Sequence, residues 1–177
     1  MSRKPTIALV GLSGAGKSTV AALVGERLGS APADLDALIE ADAGCSIAQI
    51  FAREGAAGFR GREADRLAFV LRDPPAVLAC GGGVVLDPEQ RARLVASCRV
   101  VWLEVSPAEA ARRVAGSRAT RPLLAEGLPK IETMLEERGA LYGEVAELRV
   151  PTDGRTPEQV AEAVLSGLGL HGGKGTR

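Results

Sequence analysis

The stretch "IALVGLSGAGKSTVAALVGERL", Ile7 to Leu28, constrains this chain more than any other. Ile7 to Val10 reads as a buried strand, and the residues from about Lys17 to Leu28 read as a helix. Between them, "GLSGAGKST" (Gly11 to Thr19) fits G-x-x-x-x-G-K-[ST]. Strand, glycine-rich turn and helix in that order bring backbone N–H groups to the positive end of a helix, where they can wrap a phosphate chain. Ser13, Gly14, Ala15, Gly16, Lys17, Ser18 and Thr19 are the expected cradle. Lys17 would neutralise charge on the β- and γ-phosphates, and Ser18 would offer its hydroxyl to Mg²⁺. The motif points to a nucleoside triphosphate and leaves kinase, ATPase and GTPase open. No N-K-x-D is present and no D-x-x-G follows the third strand, which disfavours a switch GTPase.

The rest of the chain alternates apolar runs with helix-period segments, the pattern of an α/β fold with a parallel sheet. A short second strand is expected to end at Asp34. Helical segments follow through Ile39, Ile50 and Ala64 to Leu71. Val77 to Cys80 reads as a third strand, Pro88 starts a helix, and "RVVWLEV" (Arg99 to Val105) is a strand buried on both faces. Ser106-Pro107 forms an N-cap with proline at the first helical position. "GSRATRPLLAEGLP" lacks periodicity and reads as a loop. A helix from about Ile131 to Tyr142, a strand at Leu148 to Val150 and a terminal helix beginning at "TPEQV" complete the series. Its 177 residues suit one domain over about 1–170, with a lid at about 116–128 and a disordered tail at 171–177.

Balanced charge, 22 Lys+Arg against 22 Asp+Glu, disfavours nucleic acid and membrane surfaces as partners. One Trp, one Tyr and three Phe make a base-stacking platform improbable on composition. Cys45, Cys80 and Cys98 form no CxxC pair, which argues against a disulfide framework and fits a reducing cytoplasm. His171, the sole histidine, lies in the glycine-rich tail, so His-based chemistry is not expected.

Two further features carry chemistry. The third strand runs into Gly81, Gly82 and Gly83 with no Walker-B carboxylate, so a metal-side acid must come from elsewhere. "ADLDALIE" offers Asp34 and Asp36 where the second strand yields to a helix; at period two both would face one side. One could orient metal-bound water and the other accept a proton, or the pair could be an N-cap and a surface Asp.

With "GFRGRE" (Arg60, Glu63), "RPLL" (Arg121) and "ERGALY" (Arg138), the sequence from about 6 to 169 resembles the shikimate kinases of the nucleoside-monophosphate-kinase-like group. That resemblance implies a three-layer P-loop NTPase fold with a five-stranded parallel sheet of order 2-3-1-4-5. It implies a cytoplasmic, monomeric enzyme using ATP and Mg²⁺ to phosphorylate shikimate on the route to chorismate and aromatic amino acids. Asp34 matches the metal-side carboxylate, and Asp36 the candidate base. Arg60 and Arg138 match the carboxylate clamp, and Glu63 the acid that holds them. Arg121 matches a lid arginine that reaches the ATP phosphates, while Arg113 and Pro157 match the adenine sandwich. Phe51 and Phe59 are expected as apolar walls. Gly81 to Gly83 would clear the sheet edge of side chains and let backbone approach the acceptor ring. Pro151 stands where the family carries an Asp. The competing readings are another small-metabolite kinase, for gluconate or adenylylsulfate, and a non-catalytic nucleotide-binding module.

Overall fold

The structure is a computed structural model that describes residues 6–116 and 127–170. Its element order is β1 (Thr6–Val10), α1 (Lys17–Leu28), β2 (Ala33–Asp34), α2 (Leu35–Ala43), α3 (Ile47–Val70), β3 (Val77–Ala79), a 3-10 turn (Val84–Leu86), α4 (Pro88–Ser97), β4 (Cys98–Glu104), α5 (Pro107–Ala115), α6 (Leu128–Val145), β5 (Leu148–Pro151) and α7 (Pro157–Gly167). The strands form one sheet of order β2-β3-β1-β4-β5. Every pairing is parallel, from Ala33↔Leu78 at one edge to Leu103↔Val150 at the other.

All five residues of β1 are buried, as a central parallel strand covered on both faces requires. Ile7, Leu9, Leu78, Val101 and Leu103 form the middle of the core, joined by Val20 and Val24 of α1 and Val164 and Leu165 of α7. The expected caps are realised. Ser106 accepts from Glu109 N with Pro107 opening α5, and Thr156 closes a capping box with Gln159 ahead of Pro157.

Three expectations change. The helical segments read separately around Ile50 and Ala64 belong to one element, α3, broken only at Gly55 (φ 70°, ψ −175°). Its glycine-rich, largely exposed middle has little apolar periodicity, which is why the pattern did not join the two. The third strand stops at Ala79, although Cys80 N still donates to Leu9 O at 3.0 Å. α6 extends beyond the expected Ile131–Tyr142 at both ends.

The P-loop follows β1 and the glycine triplet follows β3, its neighbour in the sheet. β1 is flanked by β3 on one side and β4 on the other, so chain order reverses at β1. This is a topological switch point, where open α/β sheets bind ligands.

Candidate active site

The loop from Gly11 to Thr19 is shaped by left-handed glycines. Gly14 (φ 86°) and Gly16 (φ 87°) adopt backbone that L side chains disfavour. A Cβ on Gly14 would also lie 2.9 Å from Ala110 O. Gly16 caps α1 without any side-chain hydrogen bond to the helix, which leaves the first-turn N–H groups available to an anion. Lys17 is buried and its Nζ donates to Gly11 O and Leu12 O, both at 2.8 Å. The lysine thereby holds its ammonium over its own loop.

A groove of about 690 Å³ opens beside this loop. Gly14, Ala15, Gly16, Lys17, Ser18 and Thr19 line it together with Arg113 and Pro157, which joins most of the residues expected at the nucleotide. Arg113 is built into the wall: Nη1 donates to Gly14 O at 3.2 Å and Thr152 Oγ1 at 3.1 Å, and Nη2 donates to Thr152 O at 3.0 Å. Its Nε donates to Glu109 Oε1 at 2.7 Å. Hydrogen bonds from Arg112 and then Arg113 hold the Glu109 carboxyl down to about 2.

Thr152 and Glu109 went unnoticed in the sequence; the "VPTD" string next to Pro151 was the available signal. Buried Thr152 occupies Arg113 there, and the Asp153 carboxylate accepts Ser106 N–H at 3.1 Å. Arg121 and residues 117–126 of the expected lid lie outside the described residues, as does the tail from 171.

Asp34 is the N-cap of α2 and also meets the phosphate loop. Its Oδ1 caps α2 by accepting Ala37 N–H at 3.2 Å, while its Oδ2 accepts a hydrogen bond from the Ser18 hydroxyl. A hydroxyl and a carboxylate are hard oxygen donors suited to Mg²⁺, which takes one or two protein ligands and completes its shell with phosphate and water. Ser18 and Asp34 therefore fit the metal. Asp36 stands beyond the strand end, so the period-two argument does not govern where its carboxylate lies. Asp34 ends the strand and Asp36 already belongs to the first turn of α2, so the two carboxylates follow different periodicities.

Asp36 meets the glycine triplet, and so do Glu63, Arg60 and Arg138. A Cβ on Gly81 would stand 2.7 Å from Glu63 Oε1 and 2.8 Å from Asp36 Oδ1. One on Gly82 would stand 3.3 Å from Gly11 O, 3.6 Å from Ser13 N and 3.8 Å from Arg138 Nη1. One on Gly83 would collide with the Arg60 guanidinium. None of the three has positive φ, so here glycine is needed for space and not for backbone conformation. The triplet touches the P-loop on one side and two cations with two carboxylates on the other.

Arg60 pairs with Glu63 one turn along α3 and stacks over Phe59, its guanidinium carbon 5.1 Å from the ring centroid. Phe59 stacks on Phe51 with centroids 4.7 Å apart. Burial, opposed first by Arg60, pushes the Glu63 carboxyl above its ordinary value. Arg138 is buried on α6, and its Nε makes no hydrogen bond among the described residues. Tyr142, one turn further, donates its hydroxyl to Gly82 O. Sequence reasoning noted this tyrosine only as a helix end and as part of "ERGALY"; its contact spans 60 residues of chain.

A phosphate cradle, an oxygen pair suited to Mg²⁺ and an adjoining cluster of two arginines and two carboxylates define a P-loop kinase of small molecules. The family model described as shikimate kinase matches residues 13–168, and the chain belongs to the shikimate kinase family. A shikimate kinase of Streptomyces avermitilis is 48% identical over 168 residues, spanning 94% of this chain and 96% of its own. The structure of Acinetobacter baumannii shikimate kinase in complex with shikimate superposes with a TM-score of 0.88 at 34% identity, covering 93% of this chain and 92% of that one. A gluconokinase of Sinorhizobium meliloti shares the fold at a TM-score of 0.63 and 20% identity, over 94% of this chain and 92% of that one.

Proposed function

We propose that this protein transfers the γ-phosphoryl group of ATP to the 3-hydroxyl of shikimate, giving shikimate 3-phosphate and ADP, a step toward chorismate and the aromatic amino acids. The observation that carries the reading is the convergence of Arg60, Arg138 and Asp36 on a glycine turn that also touches the P-loop at Gly11 and Ser13. Two guanidiniums clamp the carboxylate of a compact acid, and bidentate pairing explains Arg in place of Lys. The clamped ring lies over Gly81 to Gly83 with its hydroxyl toward Asp36.

The hydroxyl oxygen attacks the γ-phosphorus, the bond from that phosphorus to the ADP oxygen breaks, and the hydroxyl proton passes to the Asp36 carboxylate. Lys17 leaves its loop carbonyls for the phosphate oxygens. Ser18 and Asp34 would hold Mg²⁺, which would supply charge neutralisation to the transferring group when bound. Glu63 keeps Arg60 in place. Arg113 and Pro157 border the adenine side, and Arg121 is the further cation that the family resemblance brings to the phosphates.

No helix among the described residues is long and apolar enough to cross a membrane. The three cysteines carry free thiols, which supports a cytoplasmic location. A coupled ADP-release assay on shikimate, gluconate and adenylylsulfate tests the assignment. Turnover is expected on shikimate alone; turnover on either competitor and none on shikimate would overturn it. ATP binding with no phosphorylated product would favour a non-catalytic module.

A further inference from the structure

The acceptor pocket's floor, the turn from Gly81 to Leu86, has no side chains of its own at the glycines, so something else must hold it still. Within the turn, Val84 N donates to Gly81 O at 3.2 Å and Leu86 N to Gly83 O at 3.0 Å, which leaves Gly82 O to an outside donor. That donor is the Tyr142 hydroxyl. Tyr142 is fully buried on α6, four residues and one helical turn beyond Arg138, so the two side chains lie one above the other. The Trp102 ring of β4 packs against the tyrosine ring with centroids 5.7 Å apart and the planes tilted by 34°.

α6 also reaches the far end of the same turn. Glu144 accepts from Arg91 Nε at 3.2 Å, and Arg91 Nη1 donates to Val85 O at 2.7 Å. The phenol is strongly desolvated, which raises its pKa to about 12 despite hydrogen bonding and charge from Arg138. It is therefore a permanent donor at any working pH.

We propose that Tyr142 is a positioning residue of the acceptor site, its hydroxyl locking the Gly82 carbonyl and the Arg138 side chain into one unit. The inference rests on the shikimate reading above. A peptide plane free to rotate at Gly82 would shift the floor relative to both Arg138 and the P-loop contacts at Gly11 and Ser13. Misalignment of that kind falls on acceptor binding and transfer, not on nucleotide binding.

Steady-state kinetics of Tyr142→Phe test it, because phenylalanine keeps the ring against Trp102 and removes only the donor. Loss of a partner for a buried acceptor should raise the shikimate KM about tenfold while leaving the ATP KM within about twofold. Combined with Arg138→Lys, the second change should cost far less than it does alone, because residues acting as a unit are non-additive. An unchanged shikimate KM, equal rises in both KM values, or full additivity would overturn the proposal.

The chain has a single tyrosine, which supplies a test that does not depend on the variant folding. In the full chain carrying 3-fluorotyrosine, the one fluorine resonance should move when shikimate saturates the protein and stay in place with ADP alone. A resonance indifferent to shikimate, in protein that turns shikimate over, overturns this inference and leaves the functional reading intact. No shikimate turnover by the unaltered protein overturns both.

Discussion

Gly83 is held open by a cation. Its missing Cβ leaves the space that the Arg60 guanidinium fills, and Arg60 is the flexible, partly exposed end of a long side chain. Gly83→Ala should therefore fold, with a melting temperature near that of the unaltered protein, and push Arg60 out of the clamp. A charge-assisted contact of this kind contributes about 1.5–3 kcal/mol, so the shikimate KM should rise roughly ten- to hundredfold with little change for ATP. An unchanged shikimate KM would show that Arg60 does not bind the acceptor from this place.

Glu63 gives a pH signature at the same scale. Burial raises its carboxyl above the ordinary value, with Asp36 adding to the rise and Arg60 and Arg138 opposing it. The folded state thus keeps its proton at pH values where the unfolded chain has lost it. Stability must fall as pH climbs from the unfolded value through the raised folded one, and stay reduced above. Glu63→Gln removes that loss, so its melting temperature relative to the unaltered protein should increase from acidic to neutral pH. A pH-independent difference would remove desolvation as the dominant cause. The same variant should raise the shikimate KM, because Arg60 loses its carboxylate partner.

At the scale of elements, the join of β2 and α2 serves stability and chemistry through one side chain. Asp34 Oδ1 caps the helix while Oδ2 faces Ser18. Asparagine caps helices as well as aspartate does, whereas alanine costs about 1 kcal/mol at such a position. Asp34→Asn should melt close to the unaltered protein and Asp34→Ala should melt lower, yet both should need more Mg²⁺ for half-maximal rate. Thermal melts and Mg²⁺ titrations separate the two functions; equal Mg²⁺ requirements in all three proteins would remove Asp34 from the metal site.

Elements also show where pattern reading reaches its limit. α1, α4, α5 and α7 were legible because a glycine turn or a capping residue with proline marks their starts. α3 was not, because its middle turns carry glycines and exposed side chains and show little apolar periodicity.

Across the whole molecule, the large apolar side chains exposed among the described residues are Phe69, Leu86, Val95 and Leu128. They come from four different segments, and Phe69 is overlain by Arg66 and Arg72 at 5.2 and 5.9 Å. Single exposed apolar side chains of this kind are ordinary on a protein surface. The family resemblance leads to the expectation of a monomer, so sedimentation should show a single species of 18.3 kDa at micromolar concentration; a dimer of twice that mass would overturn that expectation.

Sequence by itself determined the phosphate loop, since its strand, glycines, Lys17 and Ser18 are contiguous and their geometry is local. Through the family resemblance it also supplied the residues proposed at the acceptor by type and order: Asp36, Arg60, Glu63, Arg138 and three glycines. Their meeting place was decided only by the tertiary structure. Parallel crossovers bring α2, α3 and α6 to the end of β3, and no local periodicity encodes which side chains then share a point in space. The glycines were expected to clear the sheet edge of side chains; the fold adds that Asp36, Glu63, Arg138 and Arg60 stand around the places where a Cβ on them would lie, with the Tyr142 hydroxyl on Gly82 O from a distant helix.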